Sequence, residues 1–159
     1  MLSVLTDSEY EQLANVAKHY GMAILTEVSN EQEMHRAVAL NAEILGINNR
    51  NLRDLSTDLN KTPELVSLFN KLADEHQKQN TVLISESGIY NHQQVKLLLK
   101  NVKGFLVGSS LMAQDNLELA CRDLVQGEFK VCGLNKADDI KVTIAAGAKY
   151  QGLIFVPSS

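Results

Sequence analysis

Ile84-Ser85-Glu86-Ser87-Gly88-Ile89 and Gly104-Phe105-Leu106-Val107-Gly108-Ser109-Ser110 are the stretches that set the fold of this chain. Each is a short apolar run that stops abruptly in small residues, and one helical stretch, Asn91 to about Asn101, separates them. Two consecutive strand–helix units have this form. A Gly/Ser turn at a strand end leaves backbone N–H groups free to face a phosphate, as anion sites at turns and helix N-termini require. Plain tight turns are the alternative, weakened here because adjacent units carry the same ending.

Outward from these units the same grammar repeats. Met1 to Leu5 reads as the tail of a strand. Thr6 caps a helix with Glu9 as its capping-box partner, the apolar face being Tyr10, Leu13, Ala14, Ala17 and Tyr20, and Gly21 ends it. Ala23 to Val28 is a strand. Ser29 with Gln32 opens a helix through Met34, Ala37 and Val38 to about Leu40, and Glu43 to Ile47 is the next strand. A polar loop, Asn48 to Lys61, leads to Thr62-Pro63, an N-cap followed by Pro at the first helical position, with the helix reaching about Gln79. A helix from Asn116 to Val125 closes at Gly127. A second phase follows: strand Phe129–Gly133, helix Lys136 to about Ala146, strand Gly152–Val156.

Strands that are continuously apolar, each separated by a helix, indicate a parallel sheet covered by helices. Polar residues close several strands: Glu27, then Asn48-Asn49-Arg50, then Glu86. Functional groups at the C-terminal ends of successive parallel strands belong to the (β/α)8 plan. The expected class is α/β, an incomplete (β/α)8 barrel with about five strands before Gly127 and two of a second barrel after it. A closed barrel takes about 250 residues, so the chain reads as cut at both ends.

Bulk composition narrows the function. The 159 residues are 45% hydrophobic and 21% charged, with a formal net charge of −4 and no basic run, which argues against a nucleic-acid or acidic-membrane partner. No stretch approaches the roughly 18 consecutive apolar residues of a membrane span, and the N-terminus lacks the features of a signal peptide. Cys121 and Cys132 have neither metal-ligand nor disulfide spacing, so the expectation is a cytoplasmic protein without metal.

Each candidate site residue carries a plain alternative. Glu27 at a strand end could be a general base or acid, or a partner of a helix N-terminus. Asn48 and Arg50 alternate, so that both could point to one side, Arg offering a fork for a carboxylate or phosphate; a structural ion pair of Arg50 with Glu86 is the alternative. Ser87, Gly88, Gly108 and Ser109 are the phosphate candidates. Cys132 could be an activated nucleophile or base, or inert core. Cys121 reads as core, and His19, His35, His76 and His92 as solvated helix residues.

Leu25-Thr26-Glu27-Val28, Gly46-Ile47-Asn48-Asn49-Arg50, Ile84 to Ile89 and Phe105-Leu106-Val107-Gly108-Ser109-Ser110-Leu111-Met112, in this order and spacing, resemble the indole-3-glycerol-phosphate synthase family from Met1 to about Gly127. Lys130-Val131-Cys132-Gly133-Leu134 and Gly152-Leu153-Ile154-Phe155-Val156 resemble the opening of phosphoribosylanthranilate isomerase. Joined directly, they resemble the bacterial bifunctional fusion, with domains 1–127 and 128–159. Asn51, where the family has Asp, and Asn135, where Thr is common and either residue can cap the next helix, are local departures.

The resemblance implies tryptophan biosynthesis: 1-(2-carboxyphenylamino)-1-deoxyribulose 5-phosphate becomes indole-3-glycerol phosphate, with loss of CO2 and water and no cofactor. It makes Glu27 the general base and Asn48 an orienting group, and brings Arg50 to the anthranilate carboxylate. Glu86 lines the site, Ser87, Gly88, Gly108 and Ser109 bind phosphate, and Cys132 is the isomerase base. It also implies that the first three synthase strands, with the family's catalytic lysines, lie outside this chain. A non-catalytic phosphate-binding half-barrel is the other expectation for the chain as it stands.

Overall fold

The computed structural model describes residues 1–51 and 54–155. Leu52 and Arg53 of the polar loop and Val156 of the last expected strand lie outside the described residues. The chain divides into two compact units, Met1–Ile89 with Lys96–Gly108, and Tyr90–Val95 with Ser109–Ser159.

In the first unit a 3-10 turn, Leu2–Val4, precedes α1 (Asp7–His19), β1 (Leu25–Val28), α2 (Glu31–Ala39) and β2 (Ile44–Asn48). Then come α3 (Lys61–Leu72), α4 (Glu75–Asn80), β3 (Val82–Glu86), α5 (His92–Leu98, whose first residues group with the second unit) and β4 (Gly104–Leu106). The four strands form one sheet in the order β1-β2-β3-β4, every neighbouring pair parallel. The second unit holds α6 (Ser109–Met112), α7 (Leu117–Gln126), β5 (Lys130–Leu134), α8 (Ala137–Ala145) and β6 (Tyr150–Leu153), with β5 and β6 paired in parallel.

Alternation along the strands separates two faces of the four-stranded sheet. Val28, Leu45, Ile47 and Leu83 are buried in one core with Met34 and Ala37 of α2 and Leu65, Val66 and Phe69 of α3. Full burial of a side chain such as Leu45 or Ile47 contributes about 1.5–3 kcal/mol, so this face supplies the apolar driving force. Thr26 joins it by a 2.8 Å hydrogen bond with the Tyr10 hydroxyl of α1. The opposite row, Glu27, Gly46, Ile84 and Gly104, is set side by side by the ladder register.

The class is the expected one, but the strand count before Gly127 is four among the described residues, not five. Met1–Leu5 is not a strand tail. Its carbonyls find a partner in Arg36, whose guanidinium takes the carbonyls of Leu2 and Leu5 and the Asp7 carboxylate, while Leu2 enters the core. Helix starts also shift. The capping box of Thr6 and Glu9 is present, but α2 is capped by Asn30 with Glu33, not by Ser29 with Gln32, because the Glu33 carboxylate reaches back to the Ser29 N–H at 2.7 Å. Asn135 does not cap α8, whose N-cap is Lys136. The helix expected to run to Gln79 breaks at Ala73, where Asp74 and Gln77 form a second capping box.

Thr62 is not an N-cap. α3 begins at Lys61 after Asn60, and Pro63 still falls in the first turn, where its missing N–H deprives no intrahelical acceptor. The Thr62 hydroxyl is instead fully buried, 2.9 Å from Asn49 Oδ1 and 2.7 Å from Ser85 Oγ. Asn49 Nδ2 donates to Ser85 Oγ at 3.0 Å and to the Ser87 carbonyl at 3.1 Å. This network ties the carboxyl ends of β2 and β3 to the first turn of α3. Thr62→Val keeps the shape but leaves Asn49 Oδ1 without its donor, a loss of about 1–3 kcal/mol. Urea denaturation of the chain should show the midpoint falling by that equivalent, with an unchanged m-value.

Candidate functional site at the carboxyl edge of the sheet

Parallel pairing brings the strand carboxyl ends to one edge. Asn48 closes β2 opposite Glu86, which closes β3, while Glu27, the penultimate residue of β1, pairs with Gly46. Glu27 is half-buried, and Asn48 and Glu86 are buried. Asn48 Oδ1 accepts from the Arg50 backbone N–H at 2.9 Å, which turns the chain out of β2. Arg50 pairs across to Thr57 in an isolated antiparallel bridge, and its Nη1 donates to the Leu55 carbonyl at 3.0 Å. Arg50 is thus held in its own loop, and no Arg50–Glu86 pair is among the ion pairs of the described residues.

Glu86 is the electrostatic centre of this edge. It is 3% exposed, and its Oε1 is buried with no hydrogen-bond partner among the described residues. Burial, and then the neighbouring Glu27 charge, push its carboxyl up to about 7; the Met1 amino group pulls the other way. Desolvation disfavours the charged form of an acid, and a like charge adds to that. A carboxyl poised near neutrality can hold or release a proton at working pH.

The turn after β3 is unusual in its backbone. Ser87 and Gly88 both have positive φ, 66° and 75°, and a Cβ on Gly88 would lie 2.9 Å from Thr57 Cβ. Glycine is therefore required there twice over, by conformation and by space. Gly108 follows β4, and a Cβ there would meet nothing within 4 Å. Ser109 opens α6 and Cys132 lies exposed on β5, both in the second unit. Cys121 is half-buried. His92 departs from its expected solvated role: it is half-buried, and its Nδ1–H donates to the Leu124 carbonyl at 3.1 Å. No cluster of metal-ligating side chains occurs among the described residues, and none of their helices is long and apolar enough to cross a membrane.

Two contributors escaped the sequence. Asn49 stands beside Asn48 and reads as loop, yet its amide organises the edge from the opposite face. Gly46 sits inside an apolar strand run, a placement that signals a close approach of another group, and the approaching group is the Glu86 carboxyl.

Alternating strands and helices with acid and amide side chains at the carboxyl edge of a parallel sheet place this chain among the (β/α)8-barrel proteins, as an incomplete barrel. Solved structures agree at the level of fold. Tryptophan synthase subunit alpha from Campylobacter jejuni superposes with a TM-score of 0.53 at 21% identity, covering 76% of this chain and 50% of that one. The HpcH/HpaI aldolase from Desulfitobacterium hafniense gives 0.52 at 12% identity, covering 95% and 73%. The sequence profile of the indole-3-glycerol phosphate synthase family matches residues 1–124, and the chain belongs to that family. Curated relatives extend the match to the whole chain. "Tryptophan biosynthesis protein TrpCF" of Vibrio cholerae is 58% identical over 159 residues, and its namesake from Buchnera aphidicola subsp. Acyrthosiphon pisum is 53% identical. The chain spans about a third of these relatives' length, 32% and 33%.

The pH dependence of the fold follows from Glu86. Its folded value lies above the ordinary value of 4.5, so the folded state binds more proton between pH 4.5 and about 7 and loses stability as pH rises through that window. A displacement of this size corresponds to about 3 kcal/mol. Glu86→Gln should remove that slope, leaving the variant more stable than the parent at pH 8 and little changed at pH 4.5. Denaturant titrations at the two pH values measure it.

Proposed function

We propose that this chain is the carboxyl-terminal part of an indole-3-glycerol-phosphate synthase barrel, residues 1–127, joined to the opening of a phosphoribosylanthranilate isomerase barrel, residues 128–159, within a bifunctional enzyme of tryptophan biosynthesis. The observation that carries the proposal is the parallel register that gathers Glu27, Asn48 and Glu86 at one edge, inside the stretch matched by the family profile. The name shared by the relatives supports the pathway. The change of phase at Gln126-Gly127-Glu128, close to where the profile ends, supports the junction.

In this proposal the substrate is 1-(2-carboxyphenylamino)-1-deoxyribulose 5-phosphate. Ring closure onto the sugar carbonyl is followed by loss of CO2, and dehydration gives the indole. Glu27, half-buried at the strand end, is the general base, taking the proton that is lost as the hydroxyl leaves as water in dehydration; Asn48 orients the sugar. Arg50 offers its guanidinium to the anthranilate carboxylate, and Glu86 lines the floor. Backbone N–H groups at Ser87, Gly88 and Gly108 receive the phosphate, and Ser109 is the fourth residue assigned to that role. Cys132, exposed at the strand that opens the second phase, is assigned as the base of the preceding Amadori isomerisation.

The test is an exchange. Replacing the matching 159 residues of the Vibrio cholerae protein by this chain should give a chimera that converts the substrate to indole-3-glycerol phosphate. Glu27→Gln in that chimera should lower kcat by about 10²–10⁴-fold, the usual worth of a positioned acid–base group. A folded chimera that converts no substrate, or one whose rate ignores Glu27→Gln, overturns the proposal.

Phosphate binding is testable on the chain alone. Inorganic phosphate should shift the amide resonances of Gly88 and Gly108. Gly108→Val should abolish those shifts without unfolding the chain, because its Cβ meets no protein atom but crowds an approaching anion. Cys132→Ser should leave them unchanged.

A further inference from the structure

Gly46 is buried in the middle of β2, between Glu27 of β1 and Ile84 of β3. A Cβ built on it would lie 2.0 Å from Glu86 Oε1 and 2.6 Å from Glu86 Cδ. The Glu86 carboxyl therefore does not extend from its own strand end. It folds back over the neighbouring strand and fills the space that any other residue at position 46 would occupy. Neighbouring strands run about 4.8 Å apart, so this places the carboxyl one strand spacing from the Glu27 backbone, on the face that Glu27 shares.

We propose that Gly46 is a positioning residue: its missing side chain is the notch that seats the Glu86 carboxyl beside Glu27 and makes the two acids a coupled pair. The inference rests on the assignment of Glu27 and Glu86 to the working edge made under the proposed function. Glu86 Oε1, buried in the notch without a hydrogen-bond partner among the described residues, is what such a seat produces when none of them offers it a donor. The elevated Glu86 carboxyl is its electrostatic consequence, from burial first and Glu27 second. The charged groups acting on the seated carboxyl are Glu27 from β1 and, in opposition, the Met1 amino group.

The experiment is a pH titration of glutamate side-chain carboxyl carbons by NMR in the 159-residue chain. The Glu86 midpoint should lie near 7 in the parent. It should fall by roughly one pH unit or more in Gly46→Ala, where the carboxyl is expelled toward solvent, and should fall also in Glu27→Gln, where only the partner charge is lost. A folded Gly46→Ala chain with an unchanged Glu86 midpoint overturns the proposal. Should Gly46→Ala not fold, the double variant Gly46→Ala/Glu86→Ala decides: restored folding places the clash at the carboxyl, whereas continued failure places it in the strand and overturns the assignment. These measurements need no substrate. An inactive chimera with intact coupling would refute the functional proposal and leave the notch standing.

Discussion

A small, fully buried polar cluster governs the arrangement of this sheet's carboxyl edge. Asn49, Thr62 and Ser85 are each completely removed from solvent, and such groups are tolerated only when their hydrogen bonds are made inside the protein. Here each meets the other two. One residue follows the end of β2, one lies within β3 and one is in the first turn of α3, so satisfying the cluster fixes all three elements at once. The Asn49 amide also takes the Ser87 carbonyl, which anchors the turn whose two residues adopt positive φ. Apolar burial brings α2 and α3 onto the sheet, but it is not directional. The hydrogen-bonded cluster is, and it sets the register at the carboxyl end.

That division of labour explains the contrast between the two faces. Apart from Thr26, held by the Tyr10 hydroxyl, the helix-covered face is apolar until the strand ends and then becomes polar in a closed, satisfied way. The opposite face carries Glu27 and Glu86, whose buried Oε1 has no hydrogen-bond partner among the described residues. The apolar core lies on one side of the sheet and the two acids on the other, with the same backbone serving both.

Much of this was legible in the sequence because it was local. Apolar runs ending in Glu, Asn or Gly marked β1 to β4, the first two to within two residues, and Thr6 with Glu9 marked a complete capping box. What escaped was decided by tertiary partners. Leu2 and Leu5 read as strand because they are apolar, but their carbonyls are claimed by Arg36, more than thirty residues away. Ser29 and Thr62 are good caps by type; Ser29 lost the role to a neighbour with a better-placed acid, and Thr62 to burial. At the edge, Glu27, Asn48 and Glu86 were visible as polar residues closing strands. Asn49 could not be distinguished from its neighbour, since only the pleat decides which of two adjacent asparagines faces the helices. Gly46 carried a weak signal, a glycine in a strand, without saying what approached it.

The strand order has a geometric consequence. Among the described residues β2 and β3 are each hydrogen-bonded on both sides, and β1 only to β2. Asn48 and Glu86 stand opposite each other on the two strands that are paired along both sides. Any molecule that reaches this edge therefore meets the amide and the acid at a spacing fixed by one shared ladder.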